Sequence, residues 1–136
     1  MPLPPRYTAG LSPAAAKKQK ALIRESKEEY ERTGRVEARP RVSQTPTPRS
    51  SYATAFENRF GYKISDTKRV KRDFPDTDVD KILSKGRAAY ASSGSRPNVT
   101  PEQWARARLA SVLTGGKALK VDKDLVGAIS RTKIGK

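Results

Sequence analysis

Two dipeptides, Ser12-Pro13 and Thr100-Pro101, constrain this chain more than any other feature of its sequence. In each, a hydroxyl side chain precedes a proline and a run of good helix formers. The hydroxyl can accept from backbone N–H groups that the first helical turn leaves without partners. Proline suits the position after it, where its missing N–H would have had no intrahelical acceptor. Gln103 completes a capping box with Thr100. Glycines answer at the far ends: Gly34 after Thr33, and Gly115-Gly116 after Thr114, each a stop for the helix before it.

The same punctuation divides the rest of the chain. Tyr52, Phe56 and Phe60 recur every fourth residue before Gly61, which predicts an apolar stripe on one face of a short helix. Ser65 is positioned to cap a short turn in SDTKRVKRDF, which Pro75 ends. Residues 75–94 follow as a helix with Val79, Ile82, Leu83 and Tyr90 turned one way and Gly94 as its stop. A last short helix is predicted where Val121, Leu125 and Ile129 align. No run alternates as a strand does. The expected class is all-α: a small irregular helical domain with an extended, Pro/Arg-rich N-terminal arm and linker.

Hydrophobic residues make up 35% of the 136 and aromatics 7%, so the core is expected to be thin. Residues 1–50 read as an arm, a weakly amphipathic surface helix (12–33) and a linker broken by Pro40, Pro46 and Pro48. Residues 51–130 read as the compact domain and 131–136 as a basic tail. Expected core anchors are Tyr90, Trp104, Leu109 and Leu113. Arg96, in the rigid turn Ser95-Arg96-Pro97-Asn98, is expected to pair bidentately with Asp122 or Asp124. Trp104 beside Arg106 and Arg108 could instead be an exposed stacking platform for bases.

Charge points to the partner. Against 29 lysines and arginines stand 14 acids, a net +15, and such an excess favours a polyanion or an acidic protein surface. Arg35, Arg39, Arg41 and Arg49 line the linker, and Lys68, Arg69, Lys71 and Arg72 form the densest cluster. These eight are the expected partner-binding residues.

Catalysis has little to work with. The chain has no histidine and no cysteine, which removes the commonest general base, the thiolate nucleophile and the best metal ligands. Gly115-Gly116-Lys117 is not a P-loop: Ser111 stands where the first glycine belongs and Ala118 where a Ser or Thr should reach magnesium. Asp76, Asp78 and Asp80 match the first three ligand positions of an EF-hand, but Lys81 and Arg87 occupy the positions of its glycine and glutamate. Carboxylates there suit the positive end of a helix dipole instead. Neither a cofactor nor a metal nor a small-molecule substrate is expected, and no apolar run reaches the length of a membrane span.

The frame AGLSP…KKQ…LIRESKEEY, then RPRV…SSYATAFENRFG, then KILSKGRAAYASSGSRPNVTPEQWARARLASVLTGGKALKVD resembles a small basic domain of uncharacterised function. That domain is found in giant DNA viruses of algae and amoebae and in some large tailed phages. The resemblance spans residues 7–124. It is most specific over 86–118, through Tyr90, residues 92–97, Thr100, Trp104, residues 107–109 and residues 114–117. It implies a viral origin and supplies no catalytic residue. The expectation is a non-enzymatic virion protein, a minor capsid or portal/tail component. Its ordered basic arm would cement neighbouring virion proteins, with binding of viral DNA as the alternative.

Overall fold

In a computed structural model, residues 3–43 and 50–135 are described. The fold is all-α, and the described residues contain seven α-helices. These are α1 (Pro13–Thr33), α2 (Ser51–Phe60), α3 (Thr67–Asp73), α4 (Val79–Ser93), α5 (Pro101–Leu113), α6 (Lys117–Asp122) and α7 (Ala128–Ile134). Two short 3-10 turns, Pro5–Tyr7 and Lys123–Leu125, complete the set.

The helix boundaries follow from their caps. Ser12 accepts from the Ala15 amide at 3.2 Å and Gly34 closes α1 with φ of 74°. Thr100 and Gln103 form the reciprocal capping box: the Thr100 amide donates to Gln103 Oε1 at 2.9 Å, and the Gln103 amide to Thr100 Oγ1 at 3.2 Å. Gly115 then leaves α5 with φ of 75°, a conformation that penalises any residue with a Cβ. One expected cap is corrected. Asp66, not Ser65, caps α3, accepting from the Arg69 amide, because that helix starts at Thr67.

The chain divides into two compact units, neither continuous in sequence. The first combines residues 1–48 with 87–104, and the second 49–86 with 105–136. In the first, Tyr7, Ile23, Tyr90 and Ala91 are buried together with the polar Gln19 and Ser95. The second unit holds the larger apolar core, built around Phe56, Val70, Phe74, Ile82, Leu109 and Leu113. Residues 131–134, expected in a basic tail, are the last turn of α7, and Ile134 is buried.

Of the expected stripe of Val121, Leu125 and Ile129, only Leu125, partly buried, packs against the core. Val121 and Ile129 are 66% and 65% exposed, while Asp122, Val126, Ser130 and Ile134 are buried. The buried register lies one residue later because a carboxylate, Asp122, is drawn inward by two cations. The single expected helix is also broken, at the 3-10 turn and Gly127. A Cβ on Gly127 would stand 2.3 Å from Asp76 Oδ2, so only glycine fits.

At Gly86 the backbone of α4 lies close against α5 within the second unit. A Cβ there would lie 2.6 Å from the Ala105 Cα. In an unobstructed helix interior, Gly→Ala gains about 1 kcal/mol; here the added methyl meets backbone, and overpacking of this kind costs about 1–3 kcal/mol. Gly86→Ala therefore lowers the midpoint of thermal or urea unfolding. A raised midpoint would contradict the close packing of α4 on α5 at this position.

Candidate interaction surface

The polar anchors come first, because they determine which charges are left to face outward. Asp122, 1% exposed, receives two cations. Arg108 of α5 approaches as a fork, Nε to Oδ2 at 2.8 Å and Nη2 to Oδ1 at 2.9 Å, and Lys85 of α4 donates to Oδ1. Burial pushes the Asp122 carboxyl up, but hydrogen bonds from Arg108 and Lys85, with their charges, outweigh burial and hold it below the usual carboxylate range. Arg96, expected to pair with Asp122 or Asp124, is exposed and is not a core residue. Arg108 makes the bidentate pairing instead. It directly precedes the buried Leu109 on α5, and nothing adjacent to it in sequence marks it for that role.

Asp76 is a second anchor. Its carboxylate accepts the Ile129 amide at 2.8 Å, the Ser130 amide at 3.0 Å and the Ser130 hydroxyl. It thus caps α7 from 53 residues away in sequence. The Ser130 hydroxyl, and then the two amides, hold its carboxyl below the usual range against the opposing effect of burial. The three aspartates expected at the first turn of α4 therefore have three uses: Asp76 caps α7, Asp78 accepts from the Lys81 amide, and Asp80 pairs with Lys71.

In the first unit the anchor is Arg39, one of the residues expected to bind a partner. Its guanidinium lies 3.7 Å from the centroid of the Tyr90 ring. Nη1 donates to the Tyr90 carbonyl at 2.8 Å and to Ser26 Oγ at 3.0 Å, and Nη2 donates to Ser95 Oγ at 2.6 Å. The Arg39 amide donates to Tyr90 Oη at 2.7 Å. Burial pushes the Arg39 pKa down, yet a guanidinium keeps its charge at neutral pH. The carbonyl end of α4 helps to offset that charge. Nearby, Asn98, with φ of 62°, accepts from the Val42 amide at 2.9 Å and donates to Ser43 Oγ at 3.0 Å. Residues 39–43 are thus tied to their own unit.

Of the remaining expected residues, Arg35 and Arg41 are exposed, Arg35 lying 3.7 Å from Glu37. Arg49 lies outside the described residues. Tyr90, Leu109 and Leu113 are fully buried as expected. Trp104, expected as a core anchor, is only half-buried and meets the Tyr7 ring edge-on, with centroids 5.9 Å apart.

The cluster on α3 does face solvent. Lys68, Arg69, Lys71 and Arg72 are all solvent-accessible, on a helix whose Val70 is turned into the core. Their neighbours include carboxylates. Lys71 is 2.9 Å from Asp80, and Arg69 and Arg72 lie 3.7 Å and 3.6 Å from Asp73. Arg69 also covers the Tyr62 ring at 4.2 Å. Exposed pairs of this kind are worth well under about 1 kcal/mol each, so a partner can replace them readily. The surface is cationic with acids interleaved.

Gly115-Gly116-Lys117 ends one helix and begins another, as α5 gives way to α6. The Gly116 amide donates to the Ser111 carbonyl at 2.7 Å, and a Cβ on Gly116 would meet Ser111 Oγ and the Tyr52 ring at 2.6 Å. Among the described residues no group of acids is placed to hold a metal ion, and no helix is long and apolar enough to cross a membrane. The model of one protein family, described as a family of unknown function (DUF5824), matches residues 4–126.

The chain belongs to this family.

The match takes in α1 to α6 and the anchors Arg39, Asn98, Asp76 and Asp122, and it ends before α7. No curated protein and no solved structure matches the chain.

Asp122→Asn leaves Lys85 and Arg108 without their counter-charge, a loss of about 1–3 kcal/mol because both cations keep part of their surface in water. Because the folded-state carboxyl titrates below its unfolded value of about 3.9, its contribution is present above that pH. It disappears as pH falls through the folded-state value. Urea midpoints measured from about pH 7 to pH 2.5 therefore show the wild-type advantage over Asp122→Asn shrinking toward the acid end. A gap that stays constant would contradict an ionised Asp122 in the folded chain.

Proposed function

We propose that this protein is a non-enzymatic structural component of a viral particle, which docks onto an acidic surface of another particle protein through α3. The observation that carries this reading is the mixed character of the α3 surface, where Lys68, Arg69, Lys71 and Arg72 are interleaved with Asp73 and Asp80. A phosphate backbone offers one sign of charge and would meet those carboxylates repulsively. A protein surface rich in acids with a few cations can match both signs, which gives register as well as attraction.

The internal anchoring supports the same reading. Asp66, Asp76 and Asp78 cap helices, and Asp122 sits between Lys85 and Arg108. Asp122 is neutralised within the fold, and 29 lysines and arginines against 14 acids leave the outward field dominated by lysine and arginine. The viral setting rests on the resemblance carried by residues 86–118. Cementing by the segment around Arg39 has less support, since Arg39 and Asn98 hold residues 39–43 to their own unit. Arg35 and Arg41 remain the exposed members of that segment.

Zero-length carboxyl-to-amine cross-linking of intact purified particles, read by mass spectrometry, tests the proposal. Lys68 and Lys71 are expected to join aspartates or glutamates of another particle protein, and Lys68→Glu with Lys71→Glu should release the chain from particles at lower salt. Absence of the chain from particles, or cross-links from Lys68 and Lys71 confined to its own carboxylates, would overturn it.

A further inference from the structure

The first unit carries a cationic surface of a different kind, on α1. Lys17, Lys20, Arg24 and Lys27 follow one another at i, i+3, i+7 and i+10, so they share a face of the helix. At 1.5 Å per residue the row is about 15 Å long. All four are exposed. The adjoining face is anchored: Ile23 and Gln19 are buried, Gln19 Nε2 donates to the Ser95 carbonyl at 3.2 Å, and Ser26 Oγ donates to the Ala91 carbonyl at 3.3 Å. The helix cannot roll to bring the row inward without breaking these bonds.

Unlike the cations of α3, these four have no carboxylate within ion-pair distance among the described residues. They also stand close to one another, and like charges at helical i, i+3 and i, i+4 spacing are mildly destabilising. The first turn of α1 has no acidic residue to balance the helix dipole, and lysines toward that end oppose it. From Lys17 to Arg24 the arrangement is unfavourable in the free chain, while Glu28 and Glu31, at i+4 from Arg24 and Lys27, offset it toward the helix end. It becomes favourable against a closely spaced row of anions. Glu28 and Glu31 follow Lys27 toward the end of the helix and mark where that contact stops.

We infer that this face of α1 binds the phosphate backbone of double-stranded DNA without reading its sequence. Duplex DNA presents about one negative charge per 1.7 Å of axis, so a row of about 15 Å lies against several phosphates. The row itself holds no amide or aromatic side chain to read a base edge, and lysine and arginine to phosphate contacts position without specifying. The inference goes beyond docking through α3: it gives the chain a second surface, of a single sign, for a second kind of partner.

Fluorescence anisotropy of the full chain with a duplex of about 30 bp, titrated across a range of KCl concentrations, tests it. Each phosphate contact adds about 0.9 to the slope of log affinity against log salt. Replacing Lys17, Lys20, Arg24 and Lys27 together by glutamine should flatten the slope by about 3–4 and weaken binding about 100-fold or more at roughly 100 mM salt. The helix should persist by circular dichroism, since the four side chains face solvent. Lys68→Gln with Lys71→Gln should change the slope by less than about 1. Three results would overturn the inference: no salt-dependent binding by the wild type, an unchanged slope in the α1 variant, or an equal loss from the α3 variant. None of these bears on whether α3 docks onto a particle protein, which is read separately in particles.

Discussion

A buried carboxylate held by two cations, Asp122 with Lys85 and Arg108, organises the second unit of this protein. It draws the end of α6 inward and brings the following turn into register. Val126, Ser130 and Ile134 then fall on the buried side while Val121 and Ile129 face out. An apolar residue in place of Asp122 would leave two cations at the edge of a dry core, and desolvated charges without partners are costly. Asp76 works to the same end from the other side, capping α7 and excluding any Cβ from Gly127. With only 35% of its residues hydrophobic, the chain relies on such directed polar contacts to position short helices that apolar burial alone would leave loosely determined.

This way of building has a consequence for the surface. Asp122, buried between two cations, contributes little to the outward field, whereas most lysines and arginines remain in solvent. On α3 some acids stay among the cations, and the surface carries a two-sign pattern suited to another protein. On α1 no acid lies within the row from Lys17 to Lys27 on its face of the helix, and that stretch suits phosphate.

Helix starts and stops were legible because their causes are local. Ser12-Pro13 to Gly34 and Thr100-Pro101 to Gly115 are read from a few adjacent residues, and α1 and α5 begin and end where those residues put them. The all-α class followed from the same signals. What lay beyond local reading were pairings across long separations. Nothing beside Asp76 in the chain points to Ser130, and nothing beside Arg39 points to Tyr90 and Ser95. An alignment of Val121, Leu125 and Ile129 looks like a core face until Asp122 is known to be the inward residue. Arg96 drew attention through its rigid turn, but rigidity of a loop says little about which way a long side chain points. The α1 row was not singled out from the sequence, because which carboxylates come within ion-pair distance of it is set by the folded chain.

If directed polar contacts set this fold, they must also hold the extended segment before residue 44, through Arg39 and Asn98, with no partner required. Residue-resolved hydrogen exchange on the isolated, monomeric chain tests this most directly. The Arg39 amide, bonded to Tyr90 Oη, and the Val42 amide, bonded to Asn98 Oδ1, should exchange much more slowly than in an unstructured peptide. Arg39→Ala should remove that protection while α5 stays protected. Exchange of both amides at the unstructured rate in the wild-type monomer would contradict the account and return the ordering of this segment to a neighbouring molecule.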